Sequence, residues 1–329
     1  MTRPSTPARR LRTDRRAKTR LSRDLLAELA HRLTDRDRQV IEAVWEYRVL
    51  TTDQLTAIFY PSINKAQHRL LELYRLAVLD RFRPWTPTGT LPWHWVLGPA
   101  GAHQLAGRRG QTTAALGYRH DKALAISTSS RLGHQVGVND FFAHLHAYAR
   151  HRADGTEVAE WWPEQRCAEL WGDLARPDAF GRWTETTLPT AQKIPGAPGP
   201  APDQQGIDFF LEHDTGTEPL KKVAAKLAGY AELAESTGIT TPVLFWLPST
   251  TREANLRRLL DAPEIPVATA VHTPAVPGRT PGHAGPAGAV WLPAGVTGPR
   301  RRLAALPDVW GGYRQPDTES DTDNGTGAC

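Results

Sequence analysis

Ile207-Asp208-Phe209-Phe210-Leu211-Glu212-His213-Asp214 is the stretch on which the reading of this chain turns. It reads as an apolar strand that carries carboxylates at its end. Glu212 and Asp214 are two residues apart, so on a strand both side chains leave the same face. A shorter piece, Arg176-Pro177-Asp178-Ala179-Phe180, reads the same way and brings Asp178 from a neighbouring strand. Three carboxylates at one sheet edge repel one another unless they share a cation, and hard oxygen ligands suit Mg²⁺ or Mn²⁺. Asp178, Glu212 and Asp214 are therefore the candidate metal ligands; the alternative is ordinary strand-end carboxylates, with Lys222 and Lys226 on a solvated helix face.

The flanking sequence builds a domain around this edge. Residues 217–236 predict a helix with Val223, Leu227 and Leu233 apolar, and with Lys222 and Lys226 four apart on one face beside Tyr230. Residues 242–247 and 267–271 read as strands, and 251–260 as a helix between them. Upstream, 157–162 and 178–183 are strand-like. They follow a helical stretch, 119–150, with a break expected near Gly133 or Gly137. The order predicts an α/β domain with a mixed central sheet. Residues 184–205 and 273–288 are Pro- and Gly-rich and read as loops, and the chain is expected to be disordered from residue 307.

The N-terminal half follows a different pattern. Thr34 caps a helix carrying Val40, Ile41, Val44 and Trp45 on one face. Thr51 or Thr52 caps a short second helix with Leu55, Ile58 and Phe59, and Pro61-Ser62 ends it. A third helix from Ile63 turns Ala66, Leu70, Leu73 and Leu76 inward, and Asn64, Lys65, Gln67, His68 and Arg69 outward. Strands at 78–85 and 93–97 flank a Pro/Gly turn, which makes a hairpin. Three helices and a hairpin in this order predict a winged helix-turn-helix whose third helix enters the major groove of double-stranded DNA. Its outward residues reach bases or phosphates, and Arg81 and Arg83 on the first wing strand reach backbone or minor groove. The alternative is a small helical domain for protein contact with a solvated polar face.

The expected fold class is thus α+β: an N-terminal winged helix-turn-helix followed by an α/β domain with a mixed central sheet, a domain that is nuclease-like by its resemblance to metal-dependent nucleases. The expected division is a basic flexible arm (1–32), the winged helix (33–106), a linker (107–118), the α/β domain (119–272) and a Pro/Gly-rich, acidic tail (273–329).

Charge agrees with a polyanionic partner. The 329 residues carry a formal net charge of +5, with a pI of about 9.3. Nine Arg or Lys fall between Arg3 and Arg23, which adds a counterion-release contribution to DNA affinity. Two cysteines support neither a disulfide framework nor a thiolate zinc site. No apolar run approaches the roughly 18 residues of a membrane span, and no apolar signal core opens the chain. A cytoplasmic setting and no membrane partner are expected.

Other motifs are weaker. In His134-Gln135-Val136-Gly137-Val138-Asn139-Asp140, His134 is a candidate metal ligand or phosphate donor, and Asn139 or Asp140 a candidate brace for the sheet. A lone helical His is more often structural. Trp161, Trp162, Trp171 and Trp183 read as packing residues rather than as a base-stacking platform. The P-loop, GxGxxG, GxSxG and HExxH patterns are all absent.

Asp178, a loop, and Glu212-His213-Asp214 resemble the metal-binding hairpin of the PD-(D/E)xK nuclease-like superfamily. Asp214 stands where that motif has lysine, so the resemblance assigns the catalytic lysine to Lys226, or to Lys222, on the next helix. The whole pattern resembles the replication-relaxation family of actinobacterial and plasmid-borne proteins. The resemblance is carried by Leu33-Thr34-Asp35-Arg36-Asp37, Leu55 to Phe59, Trp95-Val96-Leu97-Gly98-Pro99-Ala100-Gly101, and His134 with Asn139-Asp140. It continues through Arg176-Pro177-Asp178, Phe210 to Glu218, and Lys226 with Tyr230. It implies action on DNA in plasmid or mobile-element replication or relaxation, with metal-dependent nicking as one outcome. A non-catalytic DNA-binding accessory factor or transcription regulator on a degenerate nuclease-like scaffold is the other. A homodimer, or association with replication or conjugation proteins, is the expected assembly.

Overall fold

The computed structural model describes residues 21–87, 89–187, 203–260, 262–272 and 285–311. Helix α1 (Arg23–Arg32) is capped by the Ser22 hydroxyl. Helix α2 (Asp35–Glu46) opens with a reciprocal capping box between Thr34 and Asp37. Strand β1 (Leu50–Thr51) leads into α3 (Thr52–Phe59), which has a second capping box between Thr51 and Gln54. Helix α4 (Ile63–Arg75), capped by Ser62, precedes the hairpin β2 (Leu79–Phe82) and β3 (His94–Leu97), and α5 (Pro99–Arg108) follows. The three strands pair antiparallel in the order β1-β3-β2.

Helices α6 (His120–Ala125) and α7 (Leu132–Arg152) come next, then β4 (Glu157–Pro163), α8 (Glu164–Trp171), β5 (Ala179–Thr187), β6 (Asp203–His213) and α9 (Leu220–Thr237). The chain continues with β7 (Val243–Leu247), α10 (Thr250–Arg257), β8 (Val267–Val271) and β9 (Leu292–Pro293). These strands form a six-stranded mixed sheet, β4-β5-β6-β7-β8-β9. β6, β7 and β8 run parallel, and the other pairs are antiparallel.

Alternation along β6 assigns its two faces. Ile207, Phe209 and Leu211 pack with Phe141, Phe142 and Leu145 of α7. Phe210 packs on the other face with Val223, Tyr230 and Leu233 of α9, and with Leu256 of α10. Asp208 also lies on that face, where Arg182 across the ladder bonds both its oxygens at 2.7 Å. A buried carboxylate needs such a partner.

The structure revises several expected boundaries. Leu25 and Leu29 are buried in the main core, so α1 belongs to the folded body rather than to a flexible arm; residues 1–20 lie outside the described residues. The expected tail is folded over 285–311, where Ala287, Trp291, Leu303 and Leu306 close the α7 face of the sheet. The other expected tail residues, and loop residues 188–202, lie outside the described residues. Helix α8 and strand β9 were not evident from periodicity. The break in the long helical stretch falls at residues 126–131, before Gly133 rather than at it.

The two halves share one core. Tyr47 stacks on Trp161 with ring centroids 3.4 Å apart, and its hydroxyl donates to the Trp161 carbonyl at 3.2 Å. Gln54 donates to the Val136 carbonyl at 2.9 Å. The fully buried Asn139 donates to the carbonyls of Tyr47 and Val49, at 3.2 and 2.6 Å. Asn139 therefore braces the α2–β1 turn rather than the sheet.

Candidate functional site

Register brings Asp178 and Glu212 together. Ala179 pairs with Leu211, which places Asp178, the residue before β5, across from Glu212 near the end of β6. The Asp178 amide donates to the Leu211 carbonyl at 3.1 Å, and its Oδ2 accepts the His213 amide at 2.8 Å. Its Oδ1 lies 2.9 Å from His134 Nε2. His134, on the first turn of α7, is thus committed to Asp178.

Glu212 points toward α9. Lys226 Nζ donates to Oε2 at 2.6 Å and Tyr230 Oη to Oε1 at 2.5 Å. Burial, and then the charge of Asp178, push the Glu212 carboxyl up to about 7, against the pull of Lys226. Burial works to lower the Lys226 ammonium, but the Glu212 charge and hydrogen bond outweigh it and raise it. Burial, reinforced by Glu212, raises the Tyr230 phenol well above its usual value. Of the two candidate lysines only Lys226 bonds Glu212. Its side chain is 37% exposed, whereas Lys222 is 74% exposed and lies 3.8 Å from Glu218.

Asp214 departs from the expectation that it shares a face with Glu212. Strand β6 ends at His213, and the Asp214 carboxylate accepts the Gly216 amide at 2.8 Å, which turns the chain. Arg252 of α10 binds both Asp214 oxygens, Nη2 at 3.0 Å and Nε at shorter range. Nothing in its sequence neighbourhood marked Arg252, because the contact depends on how α10 packs. The expected three-carboxylate set is not assembled. Among the described residues no group of three or more His, Cys, Asp and Glu side chains is placed to hold a metal ion. What remains is the pair Asp178 and Glu212 with Lys226.

Behind this pair three imidazoles pack together. His213 meets His134 edge-on and stacks on His272, both at 5.4 Å. Burial, and then these two neighbours, lower the His213 ring to about 4, so it is neutral. Burial works to lower His134, but the hydrogen bond and charge of Asp178 prevail and raise it. Asp140 stands at the margin, 3.5 Å from His144.

Gly137 makes room for the His213 ring: a Cβ there would lie 2.3 Å from Nε2 and 2.4 Å from Cε1. With His134 and His272 against it the ring has little freedom to yield. Gly137→Ala is therefore expected to destabilise the protein by roughly 1–3 kcal/mol, against the normal helix preference for alanine. Gly133, on the same helix, has open space around its Cβ position. Gly133→Ala is expected to stabilise by up to about 1 kcal/mol. Chemical denaturation of the two variants checks the opposite signs.

A cavity of about 400 Å³ opens beside Glu212, lined among others by His134, Thr215, Thr217, Lys222 and Lys226. Glu212, Asp214 and Glu218 line it too, and each ammonium has a carboxylate neighbour, Lys226 with Glu212 at 2.6 Å and Lys222 with Glu218 at 3.8 Å.

In the N-terminal half, Asn64, Lys65, Gln67 and His68 are exposed along α4. Arg69 is not available with them. Its guanidinium bonds Asp37 at 2.8 and 2.5 Å and Glu72 at 2.5 Å, which ties α4 to the start of α2. Arg81 lies 4.0 Å and Arg83 4.2 Å over the Trp93 ring, and Arg81 also covers Tyr74 at 4.6 Å. These cation–π contacts stiffen the hairpin.

No helix among the described residues is long and apolar enough to cross a membrane. Neither the curated proteins nor the solved structures yield a match. A family model described as replication-relaxation matches residues 41–245. That span takes in α3, α4, the hairpin, the His134–Asp178 pair and the Glu212–Lys226–Tyr230 cluster. It covers well over half of the 329 residues, and the chain belongs to the replication-relaxation family.

Proposed function

We propose that this protein binds duplex DNA in plasmid replication or relaxation, with residues 34–108 acting as a winged helix and α4 as its major-groove element. The observation that carries this reading is the polar, exposed face of α4, where Asn64 and Gln67 can read base edges and Lys65 and His68 can meet phosphates. The family membership supports the plasmid role. The basic residues between Arg3 and Arg23 supply further phosphate contacts.

Lys65→Ala is expected to weaken binding to all duplex sequences alike and to reduce the slope of log affinity against log salt by about 1. Gln67→Ala is expected to cost about 1–3 kcal/mol on the preferred sequence and little elsewhere. Fluorescence anisotropy on duplexes across a salt series measures both. Wild-type affinity that does not fall with salt would overturn the reading.

A second reading is favoured by one observation, the placement of Asp178 across from Glu212 with Lys226 bonded to Glu212. In it, Asp178 and Glu212 would hold Mg²⁺ or Mn²⁺, which would supply polarisation of the phosphate and activation of water. Lys226, released from Glu212, would neutralise charge on the scissile phosphate, and His134 would orient Asp178. Supercoiled plasmid incubated with Mg²⁺ decides between the two. Nicking by wild type and not by an Asp178→Ala, Glu212→Ala double variant supports cleavage, and a gel shift without nicking supports the binding module alone.

A further inference from the structure

A second cavity, of about 460 Å³, lies at the junction of the two halves. Its walls come from the end of α2 and the turn after it, from residues 117–126, and from α8. Leu97 at its floor ends β3, so the cleft sits at the far end of the β2–β3 hairpin from the wing turn. The surface proposed to read DNA does not include it.

Its chemistry is specific. Arg48, Arg119, Lys122 and Arg166 bring four cations, against the carboxylates of Glu46 and Glu169. Arg119 pairs with Asp121 at 2.7 Å, and Arg166 stacks 4.0 Å over Trp162. Arg48 and Lys122 are exposed, and neither has an ion-pair partner among the described residues. Trp45 and Tyr118 add two rings, 6.4 Å apart and tilted by 48°. Tyr118 donates its hydroxyl to the Leu97 carbonyl at 3.1 Å, which fixes that ring in place.

The backbone that displays Arg48 is held under strain. Arg48 has φ of 65°, in the left-handed region that a long side chain rarely adopts. The carbonyls on either side of it, of Tyr47 and Val49, are the two that Asn139 clamps from α7. A strained residue persists where its surroundings over-determine it, and such residues gather at ligand sites.

We propose that this cleft binds a nucleotide, with its phosphate at Arg48 and Lys122 and its base against Trp45 and Tyr118. Cationic groups beside aromatic rings match the two parts of a nucleotide, and the volume falls in the range of small-molecule sites. The nucleotide is either free or part of a single strand, and the chemistry recognised is the same. The proposal stands apart from duplex recognition by α4.

Calorimetric titration of the full chain with ATP, with short oligothymidylate and with inorganic triphosphate tests it. The comparison protein carries Arg48→Asn and Lys122→Gln. Asparagine tolerates the left-handed turn, and both sites are exposed, so the melting temperature is expected to hold. Wild type is expected to bind ATP or oligothymidylate, and the double variant to bind at least about tenfold more weakly. Binding of ATP alone identifies a free nucleotide, and binding of the oligonucleotide identifies a strand. The proposal fails if neither binds wild type at millimolar concentration, or if the double variant binds equally well. It fails too if inorganic triphosphate binds as tightly as ATP, since the rings then contribute nothing. Retained anisotropy on duplex DNA in the double variant keeps this outcome separate from the α4 reading.

Discussion

Lys226→Met is expected to leave stability nearly unchanged near pH 5 and to cost roughly 2–3 kcal/mol by about pH 9. The Glu212 carboxyl sits at about 7 in the folded protein, above its ordinary 4.5, because burial and Asp178 oppose its charge. Its folded pKa is raised, so the folded state binds more protons than the unfolded state between those values. Stability from this group is present below 4.5 and is lost as pH rises toward 7. Lys226 is among the groups that hold the carboxyl down. Without it the carboxyl titrates higher still, so the variant continues to lose stability above pH 7, where the wild type has levelled off. Urea denaturation across this range gives the difference directly. Equal loss at low and high pH would mean that the lysine matters through the packing of its stem alone. Lys226→Arg is expected to recover most of the high-pH loss.

Gly229→Ala is expected to destabilise by roughly 2–4 kcal/mol, although alanine is the better helix former by about 1 kcal/mol. Gly229 lies within α9, where the helix crosses residues 174–175. A Cβ there would stand 2.2 Å from the Leu174 carbonyl oxygen and 3.3 Å from its carbon. The obstacle is backbone, so the helix itself has to move. Lys226 and Tyr230 flank this point on the same helix and supply both hydrogen bonds to Glu212. A shift of α9 pulls both donors from a buried carboxylate, which adds a polar cost to the steric one. Thermal melting measures the loss, and a melting temperature equal to or above wild type would contradict it. The pH dependence described for Lys226→Met is expected to appear in Gly229→Ala as well, because the same carboxyl loses the same partners.

Much of the site was legible because its parts are local. Apolar alternation marked β6, and the four-residue spacing of Lys222, Lys226 and Tyr230 put them on one helix face. Spacing did not separate the two lysines, since both satisfy it. Burial did, through the way α9 lies on Glu212. Asp214 illustrates the converse: the two-residue rule holds only while a strand continues, and this one stops a residue earlier. The imidazole group was illegible for another reason. His134, His213 and His272 come from a helix and from the ends of two strands, and no local pattern records that they meet.

Capping residues, hydrophobic period and turn formers determined which segments become helices and strands, because those choices depend on neighbours within a few positions. They were enough to order α2, α3, α4 and the hairpin, and to place five of the six sheet strands. Only the tertiary structure decided the rest. It seated 285–311 against the sheet, joined the halves through Asn139 and Tyr47, gave Asp214 to Arg252 and set Asp178 across from Glu212. Those outcomes are contacts between residues far apart in the chain. Their free energy comes from burying charge and ring surface together, and neither partner carries that information alone.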